Sequence, residues 1–190
     1  MHASLCDFLS DIFQNAVESG ADSIQVDIEE KDTTITFLVK DNGKGMDEAV
    51  LKRVTDPFYT DGIKHAKRKV GLGIPFLIQA VEAVGGAFSL KSQVGLGTEV
   101  QYSFLLDHID CPPMGNMVST LLSMISFPGG YDLVVYRSLS IADQCDEYTL
   151  DRSELEELLG SFDASGTLQL VRTYLQSQEA ALDEIRNRGY

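Results

Sequence analysis

Four short clusters before residue 100 combine residue types that bind ions, phosphates or polar rings. The first is Asp11, Asn15 and Glu18. On a helix turning about 100° per residue, Asn15 lies about 40° from Asp11, and Glu18 about 20° to its other side. The three would form one polar stripe. Its carboxylate and amide oxygen, one turn apart, suit a hard cation such as Mg²⁺ and a positioned water. The second cluster is Asp41-Asn42-Gly43-Lys44-Gly45-Met46. Glycines on both sides of Lys44 let backbone approach a ligand, and a carboxylate ending a strand can accept a hydrogen bond from an exocyclic amino group. The third is Gly71-Leu72-Gly73, behind Lys64, Lys67, Arg68 and Lys69. Free N–H groups at the start of a helix attract phosphate, and the helix dipole adds to them. The fourth is Gly95-Leu96-Gly97-Thr98.

Taken singly, each cluster also fits plain architecture: a solvated helix edge, a strand-to-helix turn, a tight turn beside a basic loop, a hairpin turn. The third is not a Walker A loop, because the Gly-Lys-Ser/Thr ending is absent.

The elements that must position these groups follow from periodicity. Leu5, Phe8, Leu9, Ile12, Phe13, Ala16 and Val17 repeat at helical spacing, and Gly20 is a suitable stop. Ile24, Val26 and Ile28 alternate with polar residues, which predicts a strand over 23–30; Lys31-Asp32-Thr33 turns the chain into a partner strand over 34–40. Asp47 and Glu48 open a short helix ending near Val54. Residues 55–69 show no periodicity and read as a loop long enough to be functional. A helix over 72–84 stops at Gly85-Gly86, and strands over 87–92 and 98–106 flank the turn 93–97. This order predicts an α/β (α+β) two-layer sandwich with helices on one face of a mostly antiparallel sheet.

Cys111-Pro112-Pro113-Met114-Gly115 marks a change. Beyond it the pattern gives a helix over 116–126, a strand near 131–136, and helices over 151–160 and 166–187, the former capped by Asp151 or Thr149 with Glu154 following. Residues 1–106 and 107–190 are therefore expected as two units, the second a small acidic α/β domain or extension.

Charge narrows the function classes. The chain of 190 residues has a formal net charge of -14. Residues 1–106 hold 15 acidic and 10 basic side chains, net -5; residues 107–190 hold 14 and 5, net -9. Such a chain repels nucleic-acid phosphates, so no nucleic acid is expected as a partner. The scattered Cys6, Cys111 and Cys145 suggest reduced thiols. The N-terminus shows no signal-peptide pattern, and the most apolar stretch, 117–127, is too short to span a bilayer. The expectation is a cytoplasmic protein without a membrane segment.

In this order the clusters resemble the GHKL superfamily of gyrases, heat-shock chaperones, histidine kinases and the mismatch-repair ATPase MutL. Asp11–Glu18 is similar to the N box, Asp41–Met46 (DNGKGM) to the first glycine box and Asp56-Pro57-Phe58-Tyr59-Thr60 to the F box of histidine kinases. Gly71-Leu72-Gly73-Ile74 resembles their second glycine box, and Gly95–Thr98 their closing Gly-Thr turn. The stretch 15–46 looks nearly as much like MutL, but DPFYT and GLGI favour the kinase branch. The resemblance covers residues 4–106 and leaves the tail outside.

It implies a Bergerat-type ATP-binding fold with ATP and Mg²⁺ as cofactors. Asn15 would ligate Mg²⁺, and Asp11 would orient or deprotonate the attacking group. Asp41 would accept from the adenine amino group, with Gly43, Gly45 and Met46 shaping its pocket and Thr98 bonding near the base. Gly71, Leu72 and Gly73 would wrap the phosphates under a lid over 58–70 containing Phe58, Thr60 and Lys69. Two departures stand out. Glu18 replaces a residue that is basic in many histidine kinases, a contact that Lys69 could take over. No dimerisation helix with a phosphoacceptor His-Glu is evident: His2 lies too near the start, and His65 and His108 sit in loop contexts. The resemblance therefore implies a kinase acting on a separate regulatory or substrate protein, as anti-sigma-type serine kinases do, or an ATP-driven switch with slow hydrolysis, or an interaction module. Similarity to small stand-alone proteins encoded beside hydrogenase or redox-complex subunits adds a redox complex as an expected partner.

Overall fold

The computed structural model describes residues 4–55, 73–162 and 164–188. The expected loop over 55–69, and with it Phe58, Thr60, Lys69, Gly71 and Leu72, falls almost wholly outside them.

Helix α1 (Leu5–Glu18) begins at a reciprocal cap: the Ser4 side chain accepts from the Asp7 amide while the Asp7 side chain accepts from the Ser4 amide. Its Leu5, Phe8, Leu9, Ile12, Phe13 and Ala16 are buried, the stripe anticipated from their spacing. Strands β1 (Ser23–Lys31) and β2 (Thr34–Asp41) form an antiparallel hairpin, with Asp32 in the left-handed region at its turn. The short α2 (Glu48–Thr55) follows, and α3 (Gly73–Ala83) carries Pro75 in its first turn, where no intrahelical N–H is needed. Strands β3 (Phe88–Gln93) and β4 (Gly97–Leu105) are antiparallel, and β4 also pairs with β2.

After α4 (Met117–Ser126), the tail does not build a core of its own. Strand β5 (Asp132–Ile141) lies parallel to β1, from Ser23 opposite Asp132 to Lys31 opposite Ser140. Strand β6 (Gln144–Asp151) completes one six-stranded sheet of order β3-β4-β2-β1-β5-β6. Helices α5 (Arg152–Leu159) and α6 (Ser165–Arg188) close the chain. The 107–190 segment thus extends the sheet of the first unit, and one hydrophobic cluster runs from Leu5 to Leu182. Phe13 of α1 meets Phe127 and Tyr131 edge-on at 6.0 and 5.7 Å, and the Leu5 and Cys6 amides donate to the Pro113 and Met114 carbonyls.

Two elements of the tail differ from expectation. The strand near 131–136 runs on to Ile141, and β6 has no counterpart in the sequence reading. Only Tyr148 and Leu150 of β6 are buried, so its first half shows no alternation, and the turn before it uses Ala142 at φ 52 instead of a glycine. Asp151 caps α5, accepting from the Ser153 and Glu154 amides.

Two interactions set tolerances. The β3–β4 turn presses on the end of β2. Gly97 has φ 106, and a Cβ there would stand 1.9 Å from the Asp41 carbonyl oxygen; at Gly45, φ 64, it would stand 1.9 Å from the Gln93 carbonyl oxygen. Between sheet and α6, Glu30 is buried and accepts from Arg137 at 2.8 Å and from Arg186 at 3.0 and 2.8 Å. Burial alone would raise the Glu30 carboxyl, but hydrogen bonds from Arg186 and Arg137 outweigh it and hold its pKa below the ordinary value.

Gly97→Ala should destabilise the fold by about 2 kcal/mol or more through backbone strain and overlap; an unchanged urea midpoint would contradict that close approach. Glu30→Gln should cost about 3 kcal/mol by removing the buried charge that Arg137 and Arg186 share. Because the folded pKa of Glu30 is depressed, its contribution is complete above an unfolded value of about 4.3 and fades as pH falls below it. Urea titrations from pH 6 downward should therefore show a smaller acid loss in Glu30→Gln than in the parent.

Candidate functional site

Between the sheet and the helical layer lies a pocket of about 280 Å³ against β2 and β4, near the lower end of small-molecule sites at ~300 Å³. Apolar side chains make its walls: Ile12 and Ala16 from α1, Val39 from β2, Val100 from β4, Val54 from α2 and Ile74 from α3. Polar groups stand at particular points. Asn15, Glu18 and Ser19 come from one edge of α1, Asp41 ends β2, Lys44, Gly45 and Met46 follow it, and Thr98 faces Asp41 across β4.

Asp41 is 8 % exposed. Its Oδ1 accepts from the Gly43 amide at 2.8 Å and from the Ser19 hydroxyl at 3.2 Å. Burial raises its pKa, and the bonds from Gly43, Ser19 and the Thr98 backbone only partly offset that. The loop after Asp41 is tied down at each step. Asn42 accepts from the Asp22 and Ser23 amides at 3.1 and 3.0 Å, the Lys44 amide donates to Ser19, and the Lys44 carbonyl accepts from Gly95 at 2.9 Å. The Met46 amide donates to Ser92 Oγ at 2.9 Å, and that hydroxyl also lies 2.9 Å from Thr98 Oγ1. A buried carboxylate held by this many donors is rigid before any ligand arrives.

Among the described residues, the structure gathers most of the site residues expected from sequence. Asn15, Asp41, Gly45, Met46 and Thr98 line one pocket, and Gly43 lies against it through Asp41. Among the described ones, Asp11 and Gly73 stand outside the pocket lining, next to one another. The expected stripe divides: Asn15 and Glu18 border the pocket, while Asp11 Oδ2 lies 3.0 Å from where a Cβ of Gly73 would stand, beside the first residue of α3. The split is along the helix axis, because the start of α3 meets α1 at Asp11, one turn before Asn15. Glu18 accepts from Gln14 at 2.6 Å. Gly73 opens α3 as expected, whereas Gly71 and Leu72 lie outside the described residues.

Ser19 escaped the sequence reading, and Ser92 carried no site role in it. A serine one residue past a helix looks like an ordinary cap, and Ser19 Oγ does accept that role by donating to the Ala16 carbonyl at 2.7 Å. Only the fold shows that Ser19 also reaches Asp41. Among the described residues, no group of three or more His, Cys, Asp or Glu could hold a metal ion. A cation here would take one protein oxygen and draw its other ligands from phosphate and water. No helix among the described residues is long and apolar enough to cross a membrane.

Comparison with known proteins agrees with this geometry. Residues 2–108 match the model of the family described as histidine kinase-, DNA gyrase B-, and HSP90-like ATPase. A putative sensor protein of Shewanella frigidimarina is 31% identical over 96 residues, 50% of this chain and 14% of that protein. The sensor histidine kinase SpaK of Bacillus subtilis is 30% identical over 102 residues, 53% of this chain and 22% of that one. The matched part is thus less than a quarter of either relative. Two solved structures share the fold at low identity. The N-terminal domain of a DNA repair protein matches with TM-score 0.55 and 13% identity, over 88% of this chain and 59% of its own. The Aquifex aeolicus MutL ATPase domain complexed with ADP matches at 0.50 and 14%, over 85% and 70%. Both overlaps exceed residues 2–108, so the shared fold takes in part of the tail. With its family model spanning more than half of the sequence, the chain belongs to the histidine kinase-, DNA gyrase B- and HSP90-like ATPases.

Proposed function

We propose that the pocket binds ATP with Mg²⁺ and that the chain transfers the γ-phosphoryl group to a separate partner protein. The observation that carries this reading is the Asp41 carboxylate, 8 % exposed at one end of an apolar pocket whose mouth bears Asn15, Glu18 and Lys44. An apolar slot with one fixed acceptor suits a flat ring bearing an amino donor. Asp41 would accept from that amino group, and Val39, Val100 and Ile74 would cover the ring faces. Phosphates leaving the mouth would meet the N-terminal turn of α3, opened by Gly73, where the helix dipole favours anions. Asn15 would supply the amide oxygen for Mg²⁺, whose charge would offset that of the phosphates.

Asp11 sits beside Gly73, where the terminal phosphate would lie. There it would take the proton from the partner's attacking group as the new P–O or P–N bond forms and ADP leaves. This placement supports a transfer role for Asp11 separate from nucleotide binding.

Incubation with γ-labelled ATP and a lysate of the source organism tests the proposal. Label on another protein supports it; release of free phosphate alone would replace it with an ATP-driven switch. Asn15→Ala should abolish Mg²⁺-dependent nucleotide binding measured by calorimetry. Asp41→Asn should weaken adenine nucleotide binding by about 1–3 kcal/mol. The parent's affinity should fall as pH drops through the raised pKa of Asp41, because the protonated acid loses its accepting charge, and Asp41→Asn should lack this pH dependence. Asp11→Asn should keep the parent's affinity and slow turnover by roughly a hundredfold or more; equal loss of affinity would make Asp11 structural.

A further inference from the structure

At the far edge of the sheet from the pocket, α5 and α6 leave a second concavity of about 380 Å³ over the end of β6. It is lined by Leu155, Leu158 and Leu159 from α5 and by Leu170, Val171 and Tyr174 from α6. Three of these are unusually wet for their size: Leu158 is 79%, Leu170 58% and Tyr174 41% exposed. Helix α5 buries none of its residues, although three of its eight are leucine. Below them Leu150, Val171 and Leu175 are buried, and Leu155 and Leu159 pack against that core while Leu158 and Leu170 stay exposed. An apolar surface of this kind, beside a buried core, fits a partner.

Charge decides which partner. Asp151 and Glu154 stand in the wall of the groove, and the exposed Glu156 and Glu157 flank it on α5. The lone cation of α5, Arg152, donates to the Ile125 and Tyr131 carbonyls and lies over the Tyr131 ring, and of the acidic groups named it meets Glu156, at 3.9 Å. Residues 107–190 contain no lysine. A second copy would bring the same acidic rim against this one, at a net charge of -14 per chain, and like charges so placed oppose docking. An anionic lipid surface is disfavoured for the same reason. The groove follows α5, eight residues long, so it runs about 12 Å, two turns of a helix. We infer that this groove docks a basic amphipathic helical segment of a partner protein, with apolar side chains at i, i+3 or i+4, and i+7, and Lys or Arg on its flanks. β1 and β5 separate it from the pocket at Asp41, so the inference stands independently of nucleotide binding.

The test uses the full chain and a short fluorescent peptide with leucines at that helical spacing and lysines elsewhere. Its controls are a peptide of the same composition in scrambled order and one with glutamates replacing the lysines. Anisotropy should show binding of the first peptide alone. Leu158→Glu and Leu170→Glu, at exposed positions and checked for folding by circular dichroism, should each weaken it roughly tenfold, as loss of an interface anchor does. Glu154→Lys should weaken it and flatten its salt dependence. No binding, equal binding of the scrambled peptide, or unchanged binding by both leucine variants would overturn the inference. So would a dimer in sedimentation that Leu158→Glu dissociates, which would assign the groove to a second copy.

Discussion

A carboxylate kept from water has to be compensated by fixed donors, and the architecture around Asp41 is arranged to do that. Ser19 comes from the end of α1, Gly43 from the loop beyond β2, and Thr98 from β4, so three elements must meet at one side chain. They can meet because backbone packs on backbone at Gly45 and Gly97, where side chains would overlap neighbouring carbonyls. Asp41 thus serves two ends. It gives the pocket a buried carboxylate acceptor, and its need for donors holds helix, hairpin and turn in register.

The sequence exposed this arrangement unevenly, for physical reasons. The apolar stripe from Leu5 to Ala16 and the alternation of Ile24, Val26 and Ile28 are periodic signals that burial enforces, and both are realised. Asn15, Asp41 and Thr98 were legible because ordered motifs carry them, and all three line one cavity. Ser19 was hidden because its local role as a helix cap is sufficient reason for a serine. The division of Asp11 from Asn15 was hidden too, because angular position on one helix does not say which neighbour covers which turn; α3 takes Asp11, and the pocket takes Asn15. Strand β6 was missed because half of it faces water and a partner strand, with no apolar face of its own to announce.

The tail matters to the sheet more than its acidic, loosely patterned sequence suggests. Pairing with β5 makes β1 an interior strand, and the Glu30 cluster clamps α6 beneath it. Arg137, fully buried on β5, has its Nε 3.6 Å from Glu179, and Tyr148 donates to the same glutamate at 2.6 Å. Ions sealed in this way add little net stability but are unforgiving of mispairing, so they fix the position of the helix on the sheet. Other acidic groups of the tail, such as Glu154 and Glu157, lie exposed on α5. Charge therefore acts as a registration device inside and as a sign-selective coat outside.

The parallel pairing of β1 with β5 also bears on how the chain is made. Ser23 and Asp132 are opposite one another, so β1 leaves the ribosome long before its neighbour exists. Until then its edge and the apolar flank of α1 lack their final cover. Closing so long a loop is slow, and a nascent sheet with an open edge is prone to the wrong partner. The order of synthesis makes the last strands the ones that end this exposure, and a chain interrupted after residue 106 would carry its motifs complete while lacking two of the six strands.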